Sequence, residues 1–221
     1  MNPVLRYARV GSTQDVARDL ARGGAAHGTT VLAEVQEAGR GRMDRRWESG
    51  EGLDLAFSVV LRPGGRLRDA PLLTLGAAAA LADAFDVRVK WPNDVVDGEG
   101  RKLAGILAEA ETIEGDRVAW VVLGVGLNVN RTVFPPGLPN ATSLALLAGR
   151  VVDREDAFQR ARAALLAGIE APDRLDRWRA RAHTLGRHVR VAGVEGIAEA
   201  LRDDGALMVG GVAVTTGEIG L

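Results

Sequence analysis

Residues 34–47 form a glycine- and arginine-rich stretch that reads EVQEAGRGRMDRRW, directly after the apolar run TVLA at residues 30–33. The apolar run predicts a buried strand, and Gly39 predicts where the strand gives way to a loop. Gly39 and Gly41 lack a Cβ, so the backbone there can approach a ligand closely. Arginine carries forked donors that suit carboxylate and phosphate oxygens. The loop contains Arg40, Arg42, Arg45 and Arg46. It is therefore a candidate anion clamp; a solvated basic turn and a nucleic-acid contact are the alternatives when the loop is taken alone.

The composition predicts a soluble globular protein. Its 221 residues are enough for one substantial domain, or one domain and a small appendage. With 28 basic and 29 acidic residues the formal net charge is −1, so no global field attracts DNA or a membrane. The chain has no cysteine, which excludes disulfides, thiolate nucleophiles and Cys-based zinc sites. No secretion signal is visible, and the longest apolar run, residues 75–82, is shorter than the roughly 20 residues of a membrane span. We expect a cytoplasmic location.

Four further motifs accompany the arginine-rich stretch. They are GSTQ at residues 11–14, KWPND at 90–94, KLAGILAE at 102–109 and GVGLNVN at 124–130. In this order and spacing they resemble the biotin protein ligases, the biotin–[acetyl-CoA-carboxylase] ligases of bacteria. The resemblance covers about residues 10–130 and is weaker towards the C-terminus. It implies the form without an N-terminal helix-turn-helix domain, and hence a ligase that does not bind DNA specifically.

The pattern of apolar residues agrees with the α+β fold that the resemblance implies. We expect a mixed, mainly antiparallel sheet with helices packed on it, plus a small C-terminal SH3-like β-barrel. Predicted strands cover residues 4–10, 29–36, 53–61, 87–91, 102–111 and 117–130. Predicted helices begin after Ser12 and cover residues 71–85, 154–171 and 174–184. From residue 186 the pattern changes to short β segments with Gly turns, which predicts two domains, residues 1–185 and 186–221.

The resemblance implies a biotin site with several polar and glycine residues. Its members are Ser12, Thr13, Gln14, Gln36, Gly39, Arg40, Gly41, Arg42, Lys102 and Gly105. Ser12 has an alternative role as the cap of a helix, with Asp15 completing a capping box. Gln36 is otherwise an ordinary polar strand terminus, although an amide can offer both a donor and an acceptor to a ring urea. Gln14 stands where the family usually has Asn, and Asp44 where it commonly has Gly.

The resemblance also implies a nucleotide site and two catalytic residues. The nucleotide-binding residues are Arg40, Arg42, Trp47, Lys90, Asn93, Lys102 and Asn128. Lys102 and Arg40 are the expected catalytic residues, and Asp94 is the expected ligand of Mg²⁺, a cation that prefers oxygen. Each has a plainer alternative. Lys102 would otherwise extend to solvent, the Pro-Asn-Asp sequence would form a turn, and Trp47 would be a core anchor.

The implied reaction is ATP-dependent and has two steps. Biotin is activated as biotinyl-5′-AMP and is then transferred to a lysine of the biotin carboxyl carrier protein domain. ATP with Mg²⁺, biotin and the carrier domain are the expected partners, without a membrane, and the sequence leaves monomer and homodimer open. The alternatives are a lipoate-type protein ligase and a non-catalytic biotin- or nucleotide-binding protein. Biotin-dependent exchange of pyrophosphate into ATP separates them.

Overall fold

A seven-stranded mixed sheet forms the centre of the computed structural model, which describes residues 2–43 and 45–220. The position of Asp44 therefore lies outside the described residues. The strands of this sheet are β1 (Val4–Val10), β2 (Thr30–Gln36), β3 (Asp54–Leu61), β4 (Arg88–Lys90), β5 (Asp94–Val96), β6 (Lys102–Thr112) and β7 (Val118–Asn128). Their order is β1-β2-β3-β7-β6-β5-β4. β1 and β2 are parallel and the other neighbours are antiparallel, which confirms the predicted mixed, mainly antiparallel sheet.

Helices cover both faces of the sheet. The side chains of its central strands alternate between the two faces, and buried side chains lie on each of them. The helices are α1 (Thr13–Arg22), α2 (Ala70–Phe85), α3 (Leu144–Ala148), α4 (Arg154–Gly168) and α5 (Arg174–Ala180). α1 packs on one face, against a small core that contains Val31, Val60 and Val122. α2, α4 and α5 pack on the other face, where the larger core lies. In that core the rings of Phe57 and Phe158 meet edge to face at 5.4 Å.

A second, four-stranded antiparallel sheet follows at the C-terminus. It consists of β8 (His188–Val191), β9 (Val194–Leu201), β10 (Leu207–Val209) and β11 (Val212–Val214), in the order β11-β10-β9-β8. Val191, Leu207 and Val214 are buried in the same apolar core as α2 and α4. The sheet agrees with the expected SH3-like module, although the described strands do not close into a barrel. Among residues 2–43 and 45–220, no helix combines the length and apolar character needed to cross a membrane.

The structure differs from the sequence-based prediction around Asp94. The turn occupies residues 91–93, and Asp94 opens strand β5, where the sequence predicts no strand. In β5, Asp94 lies opposite Gly105 of β6. β5 and the equally unpredicted helix α3 are only 3 and 5 residues long. Segments this short are stabilised by their neighbours and carry too few residues for a periodic signal.

Candidate functional site

Paired glycines leave a shallow depression in the centre of the sheet, on the face that also carries α1, because they have no side chains. Gly105 of β6 lies directly opposite Gly126 of β7, and Gly124 is the next residue of β7 on that face. The indole of Trp47 lies on Gly126 so closely that a Cβ there would come under 3.0 Å from it. The same addition at Gly105 would approach the Lys102 side chain at 3.2 Å. We call Gly105, Gly124 and Gly126 the glycine floor. It allows flat groups to lie against the sheet backbone.

A connected set of polar side chains lies at one end of the glycine floor. The backbone N–H and the hydroxyl of Thr13 both donate to Oε1 of Gln36, at 2.8 and 3.0 Å. The Ser58 hydroxyl lies 2.9 Å from both the Thr13 hydroxyl and Oε1 of Gln14. This set places the start of α1 and the end of β2 side by side. Oε1 of Gln36 is already engaged, so its Nε2 group is the part of the amide left to meet a ligand.

Gln14, which stands where the family usually has Asn, is engaged by the sheet. Its side chain is buried, and Nε2 donates to the carbonyl oxygens of Leu107 and Val122 at 3.4 Å each. A Cβ at Gly124 would come within 3.0 Å of its Oε1. The Gln14 amide therefore spans β6 and β7 over the glycine floor, with its donors committed to the sheet.

Cationic side chains surround one carboxylate at the opposite end of the floor. Nζ of Lys102 lies 2.7 Å from Oδ1 of Asp94. Lys90 is half-buried, and burial lowers its pKa, with Asp94 opposing that shift and Lys102 adding to it. Burial also lowers the pKa of Arg42, again opposed by Asp94. Among the described residues, Lys90, Lys102 and Arg42 thus share one nearby carboxylate, and the balance of these four charges is positive on a nearly neutral chain.

The arginine loop, residues 39–47, folds back on itself above these cations. The N–H of Gly41 donates to the carbonyl of Arg45 at 2.7 Å, and that of Trp47 to the carbonyl of Gly39 at 2.9 Å. Gly39 is needed here, because a Cβ would come within 3.0 Å of the Trp47 carbonyl oxygen. At the end of the loop, the ring centroid of Trp47 lies 6.0 Å from Nζ of Lys102.

Arg42 links the arginine loop to two other parts of the molecule. Its Nη1 donates to Oδ1 of Asn93 at 2.9 Å and to the carbonyl of Gly217 at 3.4 Å. Asn93 in turn donates to the carbonyl of Ile106 at 2.9 Å. Arg45, farther along the loop, pairs with Glu218. The loop therefore contacts both the KWPND motif and the C-terminal segment.

Arg40 contacts a different set of residues from the other cations of the site. Its Nη2 lies 3.0 Å from Oδ1 of Asp15 and 3.1 Å from Oε1 of Glu109. Asp15 also pairs with Arg18, so its carboxylate does not complete the capping box predicted from the sequence. Ser12 does cap α1, by accepting from the N–H of Gln14 at 3.3 Å. Two charged partners compete better for the Asp15 oxygens than a neutral backbone N–H does.

Asn128 holds the segment that follows β7. Its Nδ2 donates to the carbonyl of Thr142 at 2.9 Å and to that of Lys102 at 3.3 Å. Two buried polar atoms around this point have no hydrogen-bond partner within the described residues. They are Nε1 of Trp47 and Oγ1 of Thr142. Buried polar atoms in proteins are normally paired, so these two are available to a ligand.

The predicted site residues thus lie around one floor, with Arg40 at its margin. The Ser12–Thr13 pair and Gln36 lie at one end, and the cationic residues with Asp94, Asn93 and Trp47 at the other. The sequence-based prediction missed Ser58, Asp15 and Glu109. Ser58 and Glu109 could have been found as polar residues within mostly apolar strands; Asp15 gave no signal apart from its place in a first helical turn.

The fold is α+β, and the candidate site has a polar end, a flat floor and a cationic end. A family model, "Biotin/lipoate A/B protein ligase family", matches residues 7–128. The chain belongs to this family. It is 36% identical to the biotin–[acetyl-CoA-carboxylase] ligase of Mycobacterium tuberculosis, over 96% of this chain and 86% of that protein. The corresponding ligase of Paracoccus denitrificans is 37% identical over 93% of both chains.

Some of the other relatives are longer than this chain, and one has a solved structure. The bifunctional ligase/repressor BirA of Bacillus subtilis is 43% identical over 67% of this chain, and the chain spans 48% of its length. The chain likewise spans 48% of the length of the BirA protein of Bacillus spizizenii. The biotin protein ligase of Aquifex aeolicus, solved with biotin and ATP, aligns with a TM-score of 0.79 at 26% identity. That alignment covers 100% of this chain and 98% of that one.

Proposed function

We propose that this protein is an ATP-dependent biotin–protein ligase. It activates biotin as biotinyl-5′-AMP and transfers the biotinyl group to a lysine of the biotin carboxyl carrier protein domain. Two relatives named as biotin–[acetyl-CoA-carboxylase] ligases, matched over 86% and 93% of their length, support the substrate and the acceptor. The solved Aquifex aeolicus relative in complex with biotin and ATP supports the two ligands. We propose a cytoplasmic location for it.

One observation carries the proposal: the excess of positive charge at one end of the glycine floor. Lys90, Lys102 and Arg42 face one carboxylate, Asp94, on a chain whose formal net charge is −1. A stable fold does not need such an arrangement, because like charges brought together and partly desolvated oppose folding. A bound carboxylate and polyphosphate would balance these charges.

Lys102 is the side chain best placed to serve both ligands. It opens β6 at the edge of the floor, beside Gly105, with Asp94 fixing its ammonium at 2.7 Å. In the first step the biotin carboxylate oxygen attacks the α-phosphorus of ATP, the bond to the β-phosphate bridge breaks, and pyrophosphate leaves. Two anions must approach each other, so fixed cations lower the barrier. A preorganised donor of this kind contributes about 3–4 kcal/mol in the transition state.

The nucleotide has a matching set of contacts at the same end. Trp47 presents an indole face beside Lys102, and its buried Nε1 has no partner within the described residues. Asn128 fixes the segment carrying Thr142, whose hydroxyl is similarly unpartnered in the described part of the chain. The adenine and ribose would lie between these groups. Arg42 and Lys90 would then meet the phosphates.

Asp94 fits the part of a single protein ligand for Mg²⁺. Its Oδ1 is buried at 2.7 Å from the Lys102 ammonium, so the carboxylate lies among the groups proposed to meet the phosphates. The described residues contain no group of three side chains that could hold a metal by themselves. Both facts suit Mg²⁺, which is held through one or two carboxylates together with substrate phosphates. When bound, the ion neutralises phosphate charge.

The polar end of the floor suits the ureido ring of biotin. Nε2 of Gln36 is a donor for the ring carbonyl, since Oε1 of the same amide is held by Thr13. Ser12 is buried next to Thr13 and adds a hydroxyl. Biotin lying between this end and Lys102 would cross the glycine floor.

In the second step the lysine amine of the carrier attacks the acyl carbon of the adenylate. The new amide bond forms, the bond from the acyl carbon to the phosphate oxygen breaks, the nitrogen loses a proton, and AMP leaves. Charge builds on the departing phosphate, where Lys102 and Arg42 are placed to stabilise it. The same cations thus serve both steps.

The test is exchange of labelled pyrophosphate into ATP by the purified protein. We expect exchange with biotin and none above background with lipoate or without an acid. A biotinylation assay with the carrier domain, and with a carrier whose acceptor lysine is changed to arginine, then tests the transfer step. Exchange that is as fast with lipoate as with biotin, or absent with both, would contradict the proposal.

A further inference from the structure

Four charged side chains form a closed network at the margin of the site, which we call the Arg40 anchor: Asp15, Arg18, Arg40 and Glu109. Nη2 of Arg40 lies 3.0 Å from Asp15 and 3.1 Å from Glu109. Arg18 completes the network by pairing with Asp15 and lying 3.6 Å from Glu109. Positive and negative groups therefore alternate around it. Charges arranged as a network contribute more than isolated surface pairs do.

The Arg40 anchor joins three elements that the proposed reaction needs to keep in register. Asp15 is in the first turn of α1, next to the Ser12–Thr13 pair. Glu109 is on β6, the strand that carries Lys102 and Gly105. Arg40 is the second residue of the arginine loop. One guanidinium therefore ties the loop to the start of α1 and to β6.

Besides the Arg40 anchor, the first half of the arginine loop is linked to the rest of the described structure by the hydrogen bonds of Arg42 to Asn93 and Gly217. Met43 is 68% exposed, so the loop gains little from apolar burial there. Ordering each backbone residue opposes closure by roughly 1–2 kcal/mol in entropy. Arg40 itself is 36% exposed and Glu109 28%, so water screens the pairs only in part. Nε of Arg40 is buried and has no hydrogen-bond partner within the described residues.

We infer that Asp15 and Glu109 are positioning residues that act through Arg40. They hold the arginine loop in its closed arrangement before ligand arrives, without touching the ligand themselves. The consequence for catalysis rests on the proposed function; the consequence for the loop does not. Loss of either carboxylate increases the open fraction of the loop. Apparent affinity then falls in proportion to the closed fraction, whereas saturating ligand restores closure.

The first test is amide hydrogen exchange of the ligand-free protein. Glu109→Gln and Asp15→Asn should each speed exchange of the Gly41 and Trp47 amides about fivefold, the loss of roughly one favourable ion pair. Those two amides report on the loop because both are hydrogen-bonded within it. The matched control is Glu111→Gln. Glu111 is on the same strand and also pairs with α1, but through Arg22 at 3.4 Å.

Unchanged exchange of Gly41 and Trp47 in both variants would overturn the inference. An equal acceleration in Glu111→Gln would do the same, because the effect would then be a general loosening of β6 against α1. This test needs no activity, so it remains decisive even if the protein fails the pyrophosphate exchange assay. The inference and the proposed function can therefore fail separately.

The second test is kinetic. Glu109→Gln should raise the KM for biotin about fivefold and leave kcat of biotin-dependent pyrophosphate exchange within about twofold. In an Arg40→Gln background the same substitution should have no further effect, because its route of action is already lost. A fall in kcat with unchanged KM, or an equal additional effect in the Arg40→Gln background, would overturn the role assigned to Glu109.

Discussion

Lys102 and Arg40 are both cationic residues of the motifs that resemble one family, but their side chains contact different parts of the site. The Lys102 ammonium is beside the glycine floor, 2.7 Å from Asp94 and close to the Trp47 ring. The Arg40 guanidinium is held at the margin by Asp15 and Glu109. The sequence predicts the positive charge of both residues, but the direction of a long side chain is decided by partners far away in the chain.

At the residue scale we predict that Lys102→Ala lowers the rate of biotin-dependent pyrophosphate exchange about 10²–10³-fold. The reason is the loss of the cation best placed between the two anionic reactants. Circular dichroism and the urea midpoint should stay close to wild type, since Lys102 is about one-third exposed. Arg101→Ala is the control, because Arg101 pairs with Asp97 and Glu99 in the neighbouring hairpin. Near-normal exchange by Lys102→Ala would remove the lysine from its role.

Gln14 shows where prediction from residue type stops. The resemblance implies that Gln14 takes part in the biotin site, and in the structure it lies at the polar end of the glycine floor. Its amide, however, is committed to Ser58 and to two sheet carbonyls. Ser58 lies 44 positions from Gln14 in the chain, and the sequence offers no signal for that pairing. Long-range hydrogen-bond partners follow from strand order, which apolar periodicity does not supply.

At the scale of elements, the strong apolar runs were predicted well and the short ones were not. β1 has the bounds predicted for it, and β2 and β3 each begin one residue later than predicted. β5 and α3 were missed because tertiary neighbours, and not local pattern, stabilise them. The glycine floor was visible in the sequence as Gly105, Gly124 and Gly126. That Gly105 and Gly126 face each other depends on the register of β6 and β7.

Gly126→Ala adds a methyl group to the glycine floor and tests whether the loop carrying Trp47 or the strand itself is displaced. A Cβ there would come under 3.0 Å from the Trp47 indole. We expect the loop to yield and the sheet to stay, because overpacking a buried strand would otherwise cost about 1–3 kcal/mol. Acrylamide quenching of tryptophan fluorescence should increase, and the KM for ATP should rise several-fold. Gly98→Ala is the control, since a Cβ at Gly98 meets nothing within 4 Å. A large loss of stability with unchanged quenching would contradict this expectation.

The loop itself should become more ordered when ligand binds. Arg42 reaches Asn93 and Gly217, so it bridges the loop and the far side of the site. Hydrogen bonds to an anion contribute about 1.5–3 kcal/mol each, which can offset the entropy of ordering. We expect slower amide exchange across residues 39–47 with biotin and ATP than without them. Arg42→Ala should reduce that protection and increase biotin labelling of a bystander protein. Equal protection with and without ligand would argue against closure.

At the scale of the whole molecule, the two sheets share one apolar core. Trp91, from the KWPND motif, donates from Nε1 to the carbonyl of Gly205 at 3.1 Å. Val191, Leu207 and Val214 join the core that α2 and α4 also line. The division into residues 1–185 and 186–221 remains a prediction, and this shared core leads us to expect that both parts unfold together. Composition alone could show the change of pattern at residue 186, but not the packing across it.

His183 couples this packing to pH. It is buried beside the hairpin that contains Gly100, which has φ +84° and where a Cβ would come under 3.0 Å from the imidazole. Burial lowers the pKa of His183, and Arg187, Lys90 and Arg88 lower it further against a weaker opposing effect of Asp97. The folded protein therefore keeps this imidazole neutral at a pH where an unfolded chain, with a pKa of about 6.5, has begun to bind a proton.

The sign of the pH dependence follows from this difference. Well above pH 6.5 both states are neutral at this residue, and it does not affect the free energy of unfolding. As the pH falls below about 6.5, the unfolded state binds the proton first, so the free energy of unfolding decreases. We predict that urea unfolding at pH 7.5 and pH 5.5 shows this loss in the wild type and a smaller loss in His183→Gln. His188→Gln, at an exposed position of β8, is the control and should keep the wild-type difference. If His183→Gln loses as much stability as the wild type over this interval, the neutral buried histidine is not the cause.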